Sequence, residues 1–505
     1  MHSKKPNRHS EPKISDPVKR ILEEFKIRQD FPKSVIEECK KIDPFISKEE
    51  IKKRRNLIEL TCFTIDPEDA KDFDDAVSIE KIENGGFLLG VHIADVDHYV
   101  NKNKHIDRHA LSRGTSIYLS DKVIPMLPAK LSENLCSLRP DENRLALTVM
   151  IKLNAQGDIT GYEIFESIIK SKARLSYESA EELIYSNNKH TEISSALKTM
   201  YKLSRILDKK RLDRGYIDFD VPEIKISLDG KGKVIDIQKK KRLSSHVLVE
   251  EFMLLANQCV AEYITKNKIP MIYRIHEVPD ELKIKDFASL VKTLDYKFDE
   301  NQSKKPKYIQ RFLHKTNGKK NHVLISQMLL TCMQKAIYST KNVGHFGLAL
   351  NYYTHFTSPI RRYPDLIVHR ILKNKFKNQI DNLSEIASIA SEREQIAVKI
   401  EREVTKLKQV EFMKNKVGDI FEGVISGVQP YGLFIELNDT LAEGLVHVRA
   451  LKKDYYRFSE KQFALVGKRT KKKFQLGDSV KAQVVKVDGN KGQIDFILLD
   501  NKEKS

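Results

Sequence analysis

The sequence has few cysteines and no long apolar run, and each absence excludes a class of protein. Its five cysteines lie far apart and form no Cys-x-x-Cys pair, which argues against a disulfide framework and against a zinc site. No stretch approaches the length of uncharged apolar sequence that a membrane helix needs, and the N-terminus has no apolar core of the secretory-signal kind. We therefore expect a protein of the reducing cytoplasm with no membrane partner.

The charge balance is strongly basic. Lysine and arginine number 89 against 70 aspartates and glutamates, which gives a formal net charge of +19. Such an excess favours a polyanionic partner such as nucleic acid, although a solvated lysine-rich surface has the same composition. Charge alone does not decide between these two interpretations.

The length of 505 residues supplies two or three domains. Amphipathic helical patterns near the start predict a packing arm, and alternating strand-like and helix-like runs then predict a mixed α+β domain. A long helical stripe leads into five short strand-like runs with glycine-containing turns, which are typical of an all-β OB-fold barrel. The predicted divisions are 1–15 (disordered basic tail), 16–56 (helical arm), 57–374 (α+β domain), 375–416 (helical extension), 417–500 (OB-fold barrel) and 501–505 (tail).

Individual elements of the α+β domain are predicted from the spacing of apolar residues. The predicted strands include 60–65, 76–79, 87–93, 146–153 and 217–227. The predicted helices include 177–185, 193–208 and 245–266.

Six carboxylates lie within the ten residues 66–75, between two apolar strand-like runs. Their mutual repulsion is costly unless cations neutralise it, and carboxylate oxygens are the ligands that magnesium prefers. Two such ions can activate water and stabilise the leaving oxygen in phosphodiester hydrolysis. An EF-hand is excluded because no register places glycine at its sixth position. A solvated acidic loop is the alternative, but apolar strands on both sides favour a metal site.

The segment TIDPEDAKDFDDAV resembles the signature of the catalytic RNB domain shared by ribonuclease II and ribonuclease R. The resemblance continues in the same order through HIADVDHYV, RGYIDFD, VEEFMLLAN and HFTSPIRRYPDLIVHR, covers about residues 16–500, and is closest to ribonuclease R. It implies that 57–374 is a catalytic RNB domain followed by an OB-fold barrel. The implied activity is that of a magnesium-dependent, processive 3′–5′ exoribonuclease, which releases nucleoside 5′-monophosphates in RNA degradation.

The resemblance also implies roles for single residues at the catalytic centre. Four aspartates match the metal-site positions and are expected to hold two Mg²⁺ ions when substrate is bound: Asp66, Asp72, Asp74 and Asp75. Among them, Asp74 matches the aspartate on which cleavage depends. Arg361 matches an arginine beside the scissile phosphate, where a guanidinium can stabilise charge on phosphoryl oxygens.

Four further residues of this domain are expected to contact RNA. Tyr118 matches a tyrosine that stacks on bases near the 3′ end, and Arg362 belongs to the same motif as the catalytic arginine. Phe219 matches a phenylalanine on the opposite side, although its Ile-Asp-Phe-Asp context also fits a core residue. Glu251 matches a glutamate that binds the terminal nucleotide, with adjacent Glu250 as the alternative.

The C-terminal segment resembles the RNA-binding OB fold first described in ribosomal protein S-one. Its exposed stacking positions are matched by Phe421, Tyr431, Phe434 and His447. The basic run 468–473 either flanks a phosphate path or is a solvated lysine loop.

Typical family members carry two cold-shock-type OB folds before the catalytic domain, whereas only about 60 residues precede the acidic motif here. Either the enzyme is naturally short, or the start lies inside a longer gene. The expected partner is the single-stranded 3′ end of RNA, bound by a monomer, and association with a ribosome or degradative complex stays open. A non-catalytic RNA-binding protein of the same fold and a DNA-directed nuclease are the competing interpretations.

Overall fold

The computed structural model describes residues 17–186, 191–219, 222–319, 321–373, 382–451, 454–460 and 463–499. The predicted tails 1–15 and 501–505 lie outside these residues. All five cysteines are buried and free. Within the described ranges, no helix has the length and apolar character that a bilayer crossing requires.

The chain begins with three short helices, α1 (Pro17–Glu24), α2 (Lys33–Lys40) and α3 (Lys48–Lys53). Val18 and Leu22 of α1 are buried against the long helix Leu383–Met413, which explains the helical spacing of their apolar side chains. Helix α3 was not predicted. The side chain of Ser47 caps it by accepting a hydrogen bond of 3.1 Å from the Glu50 backbone amide.

A seven-stranded sheet forms the centre of the α+β domain. Its segment of the chain contains β1 (Arg55–Leu57), β2 (Cys62–Asp66), β3 (Asp75–Lys81), β4 (Phe87–Ala94), α4 (Val96–Tyr99), α5 (His105–Arg113), β5 (Ile117–Tyr118), β6 (Val123–Ile124), a π-helical turn (Lys130–Leu135), β7 (Asn143–Leu153), β8 (Ile159–Lys170), β9 (Arg174–Ser176), α6 (Tyr177–Tyr185) and α7 (Glu192–Arg214). The strand order is β1-β8-β7-β4-β3-β2-β9. The strands from β8 to β2 pair antiparallel, and the edge strands β1 and β9 pair parallel to their neighbours.

Strand β4 lies at the middle of this sheet and is buried at seven of its eight positions. Helices α6 to α8 pack over one face, with α8 spanning Ser244–Lys266. Burial on both faces explains why β4 is almost continuously apolar. Its one buried histidine, His92, is hydrogen-bonded at 2.9 Å to both Ser78 Oγ and Thr148 Oγ1, so its polar atoms are satisfied.

The rest of the domain is mainly helical. It contains β10 (Ile224–Leu228), β11 (Val234–Lys239), α8, β12 (Tyr273–Ile275), α9 (Glu281–Thr293), α10 (Pro306–Thr316), α11 (His322–Cys332), β13 (Ile337–Ser339) and α12 (Tyr363–Lys373). The prediction of a strand over 217–227 is wrong for its first part, because the strand begins at Ile224. Ile217 and Phe219 instead pack against the apolar cluster of α9, α10 and α11.

Helix α13 (Leu383–Met413) leads into a closed five-stranded barrel. The following strands are β14 (Ile420–Gln429), β15 (Gly432–Leu437), β16 (Glu443–His447), β17 (Tyr456–Ser459), β18 (Ala464–Gly467), β19 (Lys473–Gln475), β20 (Ser479–Asp488) and β21 (Gln493–Leu499). The barrel order is β14-β15-β16-β21-β20, and β17 to β19 form a separate three-stranded sheet that was not predicted. Gly444 is required inside the barrel, since a Cβ there would lie 2.5 Å from the Phe496 ring. The predicted fold class, α+β followed by an all-β OB-type barrel, is confirmed.

Candidate active site

The acidic segment joins two neighbouring antiparallel strands of the central sheet. Strand β2 ends at Asp66 and β3 begins at Asp75, and the pairing of Phe63 with Val77 places these two aspartates near each other at the open end of the ladder. Asp72 and Asp74 lie in the intervening loop. The continuously buried parts of both strands end here, which leaves all four predicted carboxylates at the same end of the sheet.

The loop between β2 and β3 is fixed by hydrogen bonds to a distant segment. The Phe73 amide donates to Ser137 Oγ at 3.0 Å, and this hydroxyl donates to the Lys71 carbonyl at 2.7 Å. The Leu138 amide donates to the Phe73 carbonyl at 3.0 Å. With the Phe73 ring buried as well, Asp72 and Asp74 on either side of it have a defined position.

Burial and mutual repulsion disfavour the charged form of these carboxylates. Burial and the nearby charges of Asp75 and Asp72 together raise the pKa of Asp66 to about 8, against the opposing effect of the Arg174 charge. Burial also raises the pKa of Asp75 to about 6 and that of Asp74 well above its usual value, although the Arg361 charge opposes both shifts. The cluster is therefore short of positive charge.

Arg361 faces Asp74 from the segment that precedes α12. Its Nε atom lies 3.6 Å from Asp74 Oδ2, and its Nη2 donates to Ser358 Oγ at 3.0 Å. The Ile360 amide donates to Asp74 Oδ1 at 2.8 Å. One aspartate thus receives both a backbone hydrogen bond and a guanidinium charge from the same segment.

A cavity of about 470 Å³ brings the predicted groups together. Its wall includes all four aspartates, Arg361, Arg362 and Tyr118. The Tyr118 hydroxyl donates to Asp72 Oδ2 at 3.0 Å. The hairpin that carries this tyrosine is bound to the arginine segment, because the Ser116 amide and the Thr115 hydroxyl both donate to the Arg361 carbonyl at 3.0 Å.

The donor set fits a hard divalent cation. Oδ2 of Asp66 and Oδ2 of Asp74 are buried and have no hydrogen-bond partner among the described residues. In the same part of the chain, no three Asp, Glu, His or Cys side chains converge closely enough to hold an ion by themselves. Magnesium is usually held by one or two carboxylates together with water and substrate phosphate, so this open arrangement suits it better than a closed protein cage would.

The sequence and fold of the chain match those of known proteins. Residues 54–378 match the RNB domain, and residues 414–498 match the S1 RNA binding domain. Ribonuclease R of Aquifex aeolicus is 41% identical over 495 residues, which cover 96% of this chain and 70% of that protein. The chain belongs to the ribonuclease R family.

Two further members of the ribonuclease R family support the assignment. Ribonuclease R 1 of Lactococcus lactis subsp. lactis is 41% identical over 96% of this chain, which spans 61% of that relative's length. The structure of Mycoplasma genitalium RNase R in complex with ribose methylated single-stranded RNA superposes with a TM-score of 0.89 at 29% identity, and covers 95% of this chain and 77% of that chain.

In the present protein, Glu250 and not Glu251 lines the catalytic cavity. Glu251 is buried beside Arg211, with Oε1 2.7 Å from Nε, and burial raises its pKa to about 7. Glu250 receives hydrogen bonds from Arg211 Nη1 at 2.6 Å and from Arg242 Nη2 at 2.7 Å. The structure therefore favours the alternative glutamate as the group that can reach a terminal nucleotide.

Phe219 does not reach the catalytic cavity. It lines a separate cavity with Tyr216 and Gln310 and is half-buried against the α9–α11 cluster, as its core-like sequence context allowed. Arg362 does line the catalytic cavity, but its Nη2 donates to Asp365 Oδ1 at 2.7 Å. The same carboxylate oxygen accepts the Ser358 amide at 2.8 Å, so this arginine also holds the Arg361 segment in place.

The four predicted stacking residues of the S1 domain all retain exposed surface. Tyr431 is 50% exposed, and its ring lies 6.1 Å from that of Phe434 at an angle of 86°. Phe434 lies on the outward face of β15, because the alternate residues Leu433 and Ile435 are buried in the barrel. Phe421 packs partly against the barrel core, and His447 is exposed at the end of β16.

The cavity wall contains residues that sequence reasoning missed. Asn257 accepts the Phe356 amide at 2.8 Å through Oδ1 and donates to the Tyr353 hydroxyl at 3.3 Å. Tyr177, at the start of α6, also lines the cavity. Asn257 is the last residue of the motif VEEFMLLAN. An amide side chain directly after the apolar run FMLLA was the feature of the sequence that could have identified it.

Proposed function

We propose that the chain is a magnesium-dependent, processive 3′–5′ exoribonuclease that hydrolyses single-stranded RNA to nucleoside 5′-monophosphates. The observation that carries this proposal is the position of Asp74. It is buried among three further aspartates, accepts the Ile360 amide, and lies 3.6 Å from Arg361 on the wall of a cavity of about 470 Å³. Residues 57–374 are proposed as the catalytic domain and 417–500 as an RNA-binding domain.

Asp66, Asp72, Asp74 and Asp75 would hold the magnesium ions. The bound ions would supply a polarised water and neutralise charge on the phosphoryl oxygens. The unpartnered buried oxygens of Asp66 and Asp74 are available for such ligation without the loss of an existing hydrogen bond. Burial raises the pKa values of these groups, so cation binding and ionisation of the carboxylates are coupled.

Arg361 and Tyr118 would orient the strand. The guanidinium is tied to Ser358 and lines the same cavity as Asp74, so it can donate to a phosphoryl oxygen bound in that cavity. The Tyr118 ring is 39% exposed on the cavity wall and offers a stacking face to any base. Neither contact reads a base edge, so we expect cleavage with little sequence preference.

We further propose that the protein acts in intracellular RNA turnover and does so as a monomer. Five free buried cysteines are compatible with a reducing cytoplasm. The relative from Mycoplasma genitalium has been solved with single-stranded RNA, which supports RNA as the substrate of this chain. The S1 domain would bind the strand outside the catalytic cavity.

A 3′-labelled oligoribonucleotide tests this proposal when it is incubated with magnesium, with and without EDTA. The expected result is labelled mononucleotide in magnesium and intact RNA in EDTA. Retained full-length RNA in a shifted complex would instead identify a non-catalytic RNA-binding protein. Equal cleavage of the matched deoxyoligonucleotide would identify a nuclease that does not depend on the 2′-hydroxyl.

A further inference from the structure

A small basic cavity of about 180 Å³ shares no wall residue with the catalytic one. It is formed by the segment after α1, by α5 and the β5–β6 hairpin that follows it, and by α13. Within the described part of the chain, no aspartate or glutamate lines it, whereas five residues with basic side chains do: Lys26, Arg28, His109, Arg113 and Arg393. Such a wall fits a small anion.

Arg113 is held in this wall by neutral acceptors. Its Nη2 donates to the carbonyls of residues 28–30 at 3.1 to 3.2 Å, its Nη1 to the Pro125 carbonyl at 2.6 Å, and its Nε to His109 Nε2 at 2.9 Å. Burial lowers the pKa of Arg113 to about 10, and the charge of Asp30 opposes that shift only in part. The guanidinium is therefore fixed in position but short of negative charge.

His109 is neutral in this environment. Because its Nε2 accepts the hydrogen bond from Arg113, the imidazole carries its proton on Nδ1. Burial and the charges of Arg113 and Arg28 together lower its pKa to about 4. An anion in the cavity would counteract the two arginines and raise this pKa, so the imidazole can report on occupancy.

Arg393 is fixed from the side of α13. Gly114 follows the end of α5 with a φ of 70°, and a Cβ at this position would lie 2.6 Å from the Arg393 Cβ, so the two helices are in close contact here. Nε of Arg393 is buried and has no hydrogen-bond partner among the described residues. A buried donor without an acceptor is costly, and an anion in the cavity that it lines can supply the acceptor.

The size of the cavity limits what can occupy it. Its volume corresponds to roughly six water molecules of about 30 Å³ each. Drug-sized ligands take about 300–1,000 Å³, so the enclosed part of an occupant is closer to a single phosphate group. Lys26 and Arg28 are exposed, so the cavity is open to solvent, and a larger molecule can insert its phosphate group alone.

The cavity lies behind the hairpin that forms part of the catalytic wall. Thr115 and Ile117 line the basic cavity, whereas Tyr118, the next residue of β5, lines the catalytic one. The Thr115 hydroxyl donates to the Arg361 carbonyl at 3.0 Å. An occupant would therefore contact the segment after α1 and the support of the catalytic wall at the same time.

We propose that this cavity is a binding site for a phosphate group, which joins the segment after α1 to α5 and α13. Arg28 and Arg393 would donate to its oxygens, because a guanidinium matches the geometry of phosphate, and His109 would add a further donor. The site is additional to the proposed activity. Two sources share this chemistry, namely inorganic phosphate and the 5′-phosphate of a mononucleotide.

Inorganic phosphate is the first probe, titrated into the wild-type protein by calorimetry at constant ionic strength and without divalent ions. We expect saturable binding that Arg28→Gln and Arg393→Gln each weaken about 10-fold or more, because each removes a charged hydrogen-bond donor. Arg28 is exposed, so its replacement should not disturb folding. Arg402→Gln is the matched control, exposed on α13 about 14 Å further along the helix, and should bind phosphate normally.

The imidazole signal of His109 locates the bound phosphate. It is observed by NMR with ¹³C-labelled histidine and assigned from the spectrum of His109→Gln. At about pH 6 the free imidazole is neutral, and bound phosphate should shift its signal towards that of the charged form. The same shift with uridine 5′-monophosphate would identify the mononucleotide as a source, and a shift with inorganic phosphate alone would identify the free ion.

Three results would overturn the proposal. The first is a phosphate affinity that both arginine variants leave unchanged, and the second is a His109 signal that does not move at saturating phosphate. The third is the same movement on addition of RNA without terminal phosphates to Asp74→Asn, which would make the cavity part of the RNA path. Cleavage is assayed separately in phosphate-free buffer, so a failure of the proposed activity is distinguishable from a failure of this site.

Discussion

The Ile360 amide donates a hydrogen bond of 2.8 Å to Asp74 Oδ1, across 286 residues of sequence. This contact joins the acidic loop to the segment that carries Arg361, so that the guanidinium lies 3.6 Å from Oδ2 of the same aspartate. Because the amide fixes one carboxylate oxygen, the other remains available to a cation. These two contacts of Asp74, with the Ile360 amide and with Arg361, are the structural basis for assigning the reaction to this end of the sheet.

Asp74→Asn is expected to abolish turnover and preserve RNA binding. The amide side chain can still accept the Ile360 hydrogen bond, but it loses the charge that a metal ion requires. We expect cleavage to fall at least about 1000-fold, which corresponds to about 4 kcal/mol in the barrier. Single-turnover cleavage and anisotropy measure the two effects. Asp69→Asn, in the same loop but exposed, is the control and should cut normally. Wild-type cleavage by the Asp74 variant would refute the metal assignment.

Tyr118→Ala is expected to change the length of the shortest product. The ring forms part of the wall beside Asp72, and its loss weakens the grip on the terminal bases by about 1–3 kcal/mol. Tyr118→Phe keeps the ring and loses only the hydroxyl contact, so it should retain the wild-type product ladder. High-resolution gels of an end-labelled RNA give the measurement. An unchanged ladder for the alanine variant would count against stacking.

Arg211→Met is expected to destabilise the protein through Glu251. Both side chains are buried, with relative exposures of 3% and 4%, and removal of one partner leaves the other charge uncompensated. The expected loss is about 3–5 kcal/mol in the free energy of unfolding. Adding Glu251→Gln should recover much of it, as denaturant titration can show. Arg205→Met removes an exposed arginine of the same helix and should have little effect. Simple additivity of Arg211→Met and Glu251→Gln would contradict this pairing.

His92 is expected to make folding stability depend on pH in the acid range. Burial lowers its pKa to about 4, so between pH 6.5 and 4 the unfolded chain binds a proton that the folded protein does not bind. Its contribution is therefore fully present above pH 6.5 and is lost as the pH falls towards 4, by about 3 kcal/mol in total. His92→Gln should flatten this part of the stability curve. His105→Gln, at an exposed site, should not, and identical curves for all three proteins would exclude the effect.

The central sheet and the acidic loop were predictable because local patterns determine them. Continuous apolar runs predicted buried strands, and the carboxylates between β2 and β3 had no place inside the sheet. The helices at 177–185, 193–208 and 245–266 were also predicted close to the observed α6, α7 and α8.

The features that the sequence did not predict mostly depend on contacts between residues far apart in the chain. Whether Glu250 or Glu251 faces the cavity is decided by Arg211, which lies on another helix about 40 residues earlier. Phe219 packs against the α9–α11 cluster, whose residues lie far from it in the sequence, so the local pattern could not show this contact. The β17–β19 sheet was missed because its strands are only three or four residues long.

The central claim is that the aspartate cluster binds divalent ions against the last phosphodiester of a threaded strand. The most direct measurement is a crystal structure of the wild-type protein with Mn²⁺ and a non-hydrolysable RNA analogue whose last phosphodiester is replaced by a phosphonate linkage, analysed by anomalous scattering. The account predicts manganese bound between the RNA phosphate and carboxylates drawn from Asp66, Asp72, Asp74 and Asp75. Ordered RNA in the cavity with no manganese peak and with these carboxylates turned apart would contradict it.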